Sequence, residues 1–187
     1  GGWTTSDVEQ DLRSGQTATD LSHADLVTVE IGANDFDLGR VDDPACLPAL
    51  TSSCWADTMT GLSTGLTDIV SGIRDIDTNP NVRIVLIGYW NVTVDGDIGA
   101  ARGGAFVSGS EALTGAVNAT IKAVATSSDA VYVDAYTPFK GTGSLDPTAD
   151  LLDDGDHLNA QGHAIMEKAV FDALQDAGVV DALTAVP

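Results

Sequence analysis

The chain is 187 residues long, 43% hydrophobic, and carries a formal net charge of −20 from 28 acidic against eight basic side chains. That length suits one domain with a single core, while that charge repels phosphate backbones and anionic bilayers, so no nucleic acid is expected as a partner. No apolar run approaches the roughly 18 residues of a membrane span, and no basic, apolar leader opens the sequence, so neither a span nor a signal peptide is visible.

The first element is a short helix, marked by Ser6-Asp7-Val8-Glu9, which has the Ser-x-x-Glu spacing of a capping box and acid in its first turn. A strand is expected next over residues 26–31, from Leu26 to Ile31, apolar at nearly every position and so expected to be covered on both faces. Cys46 and Cys54 follow among Pro44, Pro48, Thr51, Ser52 and Ser53, a composition that reads as a surface excursion. A loop disulfide is the natural reading, implying an oxidising, extracellular compartment; the alternative is two unrelated free thiols in a cytosolic protein.

Met59, Leu62, Leu66, Ile69, Val70 and Ile73 repeat at three and four, one apolar stripe on a helix of about five turns. A second strand is expected over residues 83–89, a second striped helix through Leu113, Val117, Ile121 and Val124, and a third strand over 130–134. An irregular stretch then leads to a final helix, with Asn159 as its N-cap, Ile165, Ala169, Val170 and Leu174 on one face, and Gly178 closing it. Strands alternating with helices predict an α/β domain with a parallel sheet. Right-handed crossovers order the three strands side by side and leave the strand of residues 26–31 at one end, a poor edge because nothing charged or proline-rich blunts it.

Two motifs carry chemistry. Gly32-Ala33-Asn34-Asp35 follows the first strand, so its turn holds an amide side chain over the carboxyl edge of the sheet, where ligand sites of open α/β sheets sit. Asp154-Gly155-Asp156-His157 puts a carboxylate three residues before a histidine and just ahead of a helix. One turn of chain brings that carboxylate to Nδ1, fixing the tautomer and leaving Nε2 as general base.

On these residues the sequence resembles the SGNH hydrolases, also called the GDSL lipase and esterase family. Gly32, Asn34 and Asp35 match the family's GxND block, and Asp154 and His157 its DxxH block, with Asn159, Gly162 and His163 in the usual surroundings. Gly2-Trp3-Thr4-Thr5-Ser6 resembles the block of a glycine before a threonine-rich helix start, and Gly88-Tyr89-Trp90-Asn91-Val92 is similar to secreted actinobacterial members. The resemblance implies a three-layer α/β/α, flavodoxin-like fold and a secreted esterase or lipase that needs no cofactor. It would act on short-chain acyl esters, lipids or acetylated sugars. It implies His157 as base, Asp154 as its orienter, and Asn34 (side chain) and Gly2 (backbone N–H) as oxyanion donors.

The family's Gly-Asp-Ser block does not occur in these residues. The expectation is a single SGNH-like domain over residues 1–187 that is incomplete at its amino end, its serine lying in an absent upstream segment. An upstream fragment or a second copy of the chain is then the expected partner of the strand from Leu26 to Ile31. The competing expectation is another nucleophile within the chain. Ser6 lies nearest to Gly2 but reads as the N-cap of its helix, and Ser108 and Ser110 also read as caps. Functional alternatives are a non-catalytic remnant that binds acylated or glycan ligands, or an assembly partner working through the exposed strand.

The other chemistry-bearing residues have plainer readings. His23 is expected to be exposed and His163 structural. The acidic groups Asp153, Asp154 and Asp156, or Asp95 and Asp97, offer oxygen ligands but lack EF-hand spacing, so no metal is expected. Trp3, Trp55 and Trp90 are candidates for an apolar substrate surface, with core packing the default for Trp90. Asn91 and Asn118 fall in glycosylation sequons.

Overall fold

In the computed structural model, residues 2–41, 43, 45–46 and 53–180 are described. Helices α1 (Thr5–Ser14) and α2 (Ala18–Leu21) precede strand β1 (Leu26–Val29). There follow α3 (Ser53–Ile76), β2 (Arg83–Ile87), α4 (Gly96–Ala101), α5 (Gly104–Ser127), β3 (Val131–Val133), α6 (Tyr136–Lys140) and α7 (Ala160–Asp176). The strands form a parallel sheet in the order β1-β2-β3, with Leu26 opposite Arg83 and Val85 opposite Val131. This is the α/β fold expected from the alternation of periods.

Strand β2 is central, and its alternate residues feed two cores. Ile84 and Leu86 join Leu62, Leu66, Ile69, Leu113, Val117 and Ile121 under α3 and α5, onto which α1 also packs. Val85 and Ile87 join Trp90, Val133, Phe139, Met166 and Leu174 under α6 and α7. Each buried aliphatic side chain is worth about 1.5–3 kcal/mol relative to exposure, so both layers hold the sheet.

Four local expectations change. Strand β1 is covered fully on one face and only at its start on the other: Val27, Val29 and Ile31 pack towards α3 and Leu26 towards the core under α6 and α7, whereas Thr28 and Glu30 are exposed. Ser6 is not a cap. Thr4 is, because Thr4 and Asp7 form the capping box, and Ser6 lies exposed inside α1. Ser108 and Ser110 lie within α5, which starts early because Gly103 at φ +98° turns the chain into it. Ser53 and Cys54 belong to the first turn of α3, not to a loop.

Cys46 and Cys54 are joined in a disulfide, tying the preceding segment to α3. Trp55 beside it is buried against Phe36, with ring centroids 5.7 Å apart, and donates to the Cys46 carbonyl. Pro44, Pro48, Thr51 and Ser52, read as part of the excursion, lie outside the described residues. Trp90 packs against Phe139, while Trp3 is half exposed. Both sequon asparagines are buried and bonded: Asn118 grips both backbone groups of Tyr89, and Asn91 accepts from Thr93 and Ser110. Among the described residues, no helix is long and apolar enough to cross a membrane.

Candidate active site

The loop after β1 is held from three sides. Gly32 has φ +131°, and a Cβ there would lie 2.7 Å from the Leu62 side chain, so only glycine lets the chain cross α3 this closely. A 3-10 turn over Ala33–Asp35 follows. Asp35 turns back to α1 and accepts from the Thr5 backbone N–H at 3.0 Å and the Thr5 hydroxyl at 2.5 Å. Asn34 Nδ2 donates to the Trp3 carbonyl at 3.1 Å, which brings the asparagine against the segment containing Gly2. A primary amide has two N–H donors, so this bond anchors Asn34 and leaves the second. Gly2 has φ +83°, and its N–H makes no hydrogen bond among the described residues.

The second loop is a narrow hairpin. Leu151 and Leu158 bridge antiparallel, the Leu152 N–H donates to the His157 carbonyl at 2.8 Å, and Gly155 turns the chain at φ +69°. Inside this turn one Asp154 oxygen accepts from the backbone N–H groups of Asp156 and His157, both at 3.0 Å, and the other meets His157 Nδ1 at 2.8 Å. Asn159 then caps α7, accepting from Gln161 and Gly162 while donating to the carbonyls of Ala149 and Leu151. The histidine is thus fixed between a turn and a helix start.

The electrostatics set the tautomer. The His157 backbone N–H, then that of Asp156, then the imidazole bond hold the Asp154 carboxyl down at about 2. An ionised carboxylate only accepts, so Nδ1 carries the proton and Nε2 of the neutral ring keeps its lone pair. The bond to Asp154, followed by the charges of Asp156 and Asp154, raises the His157 pKa above its ordinary value. His157 is 71% exposed at its side chain, so the ring lies at an open rim. A concavity of about 900 Å³ runs along β3 and α7 past Arg83, Tyr132 and Ala173 and is lined by none of these residues.

The sequence reading missed Tyr89. Its buried hydroxyl accepts from the Ala33 N–H at 3.3 Å, and its pKa is pushed up by burial and by the charges of Glu30, Asp35 and Asp156. One tyrosine thus touches the first loop and feels the second, beyond the carboxyl end of β2. A buried ring with a hydroxyl to satisfy was the available signal. His163 lies exposed on α7, and His23 is exposed where its ring meets the Thr78 hydroxyl. Asp95, considered as a cation ligand, is engaged by Lys140 instead. Among the described residues no group of three or more acidic, histidine or cysteine side chains is arranged to hold a metal ion.

The sequence profile of the GDSL-like lipase/acylhydrolase family matches residues 1–165. No curated protein gives a match. Among solved structures the chain is similar to an acetylxylan esterase from Geobacillus stearothermophilus, at 19% identity and a TM-score of 0.60, covering 92% of this chain and 68% of that one. It is similar to the same extent, at 21% identity and a TM-score of 0.60 with 92% and 68% covered, to an α/β hydrolase enzyme from the metagenome of Lake Arreo, Spain.

Proposed function

The chain belongs to the GDSL-like lipase/acylhydrolase family and is a carboxylic ester hydrolase, and from that premise we propose that His157, Asp154, Asn34 and Gly2 carry the reaction through an acyl-serine. The observation that carries this reading is the 2.8 Å bond from His157 Nδ1 to an Asp154 carboxylate that two backbone N–H groups already hold. The serine oxygen attacks the ester carbonyl while Nε2 takes its proton, then Nε2–H returns that proton to the leaving alkoxide. Water repeats the cycle on the acyl-enzyme. The second N–H of Asn34 and the Gly2 N–H meet the oxyanion, each donor lowering the barrier by about 3 kcal/mol.

The serine comes on a strand laid along the free edge of β1. That edge has no partner among the described residues, and a parallel neighbour about 4.8 Å away would end beside Gly32-Ala33-Asn34. The strand belongs to an upstream segment completing this single domain. The substrates are esters of small acyl groups, acetylated sugars among them, because the exposed rim at His157 admits a bulky alcohol. The disulfide supports a secreted setting.

Turnover of p-nitrophenyl acetate, with His157→Ala as control, tests the reaction, and fluorophosphonate labelling followed by peptide mapping identifies the serine. Label on a serine of residues 1–187 overturns the supplied-strand reading. Turnover that survives His157→Ala overturns the assignment of the base.

A further inference from the structure

We propose that Lys140 is a positioning residue for the Asp154–His157 pair, holding through Asp95 the turn that carries it; this rests on the reading of His157 as the base. Lysine is almost never fully buried unless paired, yet the Lys140 side chain is only 6% exposed. Its ammonium meets both Asp95 oxygens, at 2.7 and 2.8 Å, and Glu111 at 2.9 Å, so all three donors are used. The Tyr136 hydroxyl donates to the other Glu111 oxygen at 2.5 Å. One cation thereby locks α6, α5 and the turn before α4. Burial works against its charge, and the bonds from Asp95 and Glu111 outweigh that and raise its pKa.

Asp95 transmits the lock. Its side chain caps α4 through the Gly96 N–H, and its own N–H donates to the Gly155 carbonyl at 2.7 Å. Gly155 lies between Asp154 and Asp156, the residues whose backbone and side chain set His157. It sits so close that a Cβ would come within 2.8 Å of Ile98 Cβ and 3.0 Å of the Asp95 carbonyl oxygen. The Thr148 hydroxyl fixes the same turn from the other side, accepting from the Asp97 N–H at 2.9 Å. Buried ion pairs contribute little net stability compared with apolar replacements. Their distinctive effect is geometric, and here the geometry fixed is that of the base.

The sign of one measurement separates positioning from charge. Removing a nearby cation raises a histidine pKa through space, whereas loosening its bond to Asp154 lowers it. The charged groups facing His157 are Asp154 and Asp156 on its own loop, and those facing Lys140 are Asp95, Glu111 and, more distantly, Asp146. The test is an NMR pH titration of the three histidines in the full 187-residue chain, with His23 and His163 as internal controls.

Lys140→Met is expected to lower the His157 pKa by about half a unit or more, towards the ordinary value of about 6.5, with the controls unchanged. Gly155→Ala, which displaces the loop without altering charge, is expected to do the same. Should Lys140→Met fail to fold, Lys140→Met/Asp95→Asn leaves no charge stranded between these two positions and keeps the residue-95 N–H, and the same fall is expected. A His157 pKa that is unchanged or raised in the folded lysine variant overturns the proposal. Because the readout is not activity, failure here is distinguishable from failure of the base assignment, which falls if His157→Ala retains turnover.

Discussion

Removing the Asp35 carboxylate should destabilise the chain far more than its place in a surface turn suggests. Asp35 accepts two bonds from Thr5, a backbone N–H at 3.0 Å and a hydroxyl at 2.5 Å, and Thr5 is itself only 4% exposed. Gly65 of α3 closes the other side, since a Cβ there would lie 2.7 Å from the Thr5 hydroxyl oxygen. Water therefore has little room to replace the lost acceptor. A hydrogen bond to a charged group is worth about 1.5–3 kcal/mol net, so Asp35→Ala is expected to cost about 3–4 kcal/mol, a large share of a typical stability of about 5–15 kcal/mol. Asp35→Asn keeps one acceptor oxygen for the Thr5 backbone N–H and turns its N–H towards the Thr5 hydroxyl, which can rotate to accept, so it should cost about half as much. With a urea slope of about 2 kcal/mol per molar, Asp35→Ala moves the unfolding midpoint down by about 1.5–2 M. Urea titration followed by far-UV circular dichroism, at unchanged slope, reads this directly. A loss below about 0.5 kcal/mol, the usual scatter of surface substitutions, would refute the reasoning.

The site and the disulfide each carry further expected outcomes. With His157 as the proposed base, which works only when neutral, hydrolysis should rise as pH passes the raised His157 pKa, and Asp154→Asn should move that limb to lower pH while reducing turnover; an unmoved limb counts against the pair. The same bond is a stability term. His157 is raised in the fold, so its share is complete below pH about 6.5 and is lost as pH rises through the folded pKa. Asp154 is depressed to about 2, so its share is present above about pH 4 and is lost as pH falls through that value. The urea-midpoint gap between parent and Asp154→Asn should therefore be widest between these limits, and a gap flat with pH would contradict it. Cys46→Ser/Cys54→Ser opens a loop of sequence separation 8 and should cost about 2.5 kcal/mol by chain entropy. Thiol titration of the unfolded, unreduced parent should read near zero.

What the sequence makes legible is whatever depends on period or on close neighbours. The stripes from Leu62 to Ile73 and from Leu113 to Val124 mark α3 and α5 because each repeats over several turns, and Asn159 marks the start of α7 because its cap is local. The Asp154–His157 bond is legible because three residues of chain suffice to close it. The Ser6 cap fails because Thr4 offers an equivalent box two residues earlier with Asp7, and spacing alone does not choose between overlapping boxes. The serines at 108 and 110 read as caps because α5 gains its first turns from Gly103 rather than from a side-chain oxygen. Tyr89 and Lys140 stay hidden for a different reason: their partners are 56 and 45 residues away in sequence. No local pattern encodes a contact that only the sheet assembles.

The proposed site consists of two halves, an oxyanion half and a base half, anchored on different parts of the fold, and this has a measurable consequence. The oxyanion half hangs on α1 and α3, through Asp35 and Thr5, Asn34 and Trp3, and the contact of Gly32 with Leu62. The base half hangs on the Leu151–Leu158 bridge, the Asn159 cap and the Asp95 turn. Tyr89 joins them by a single 3.3 Å bond to Ala33 and by the field of Asp156 at its hydroxyl. Sites that share no partner add within about 0.5 kcal/mol, so a cycle of Asp35→Ala and Gly155→Ala should show coupling no larger than that in urea unfolding. In the same variants the readouts should divide: Asp35→Ala lowers turnover by freeing the Asn34 loop and leaves the His157 pKa in place, while Gly155→Ala moves that pKa. Tyr89→Phe strips the Ala33 N–H of its partner and should cost about 1 kcal/mol without reproducing either pattern in full. Coupling well above 0.5 kcal/mol, or a His157 titration displaced by Asp35→Ala, would mean that the two loops form one cooperative unit. Tyr89 would then be their structural hinge rather than a spacer between them.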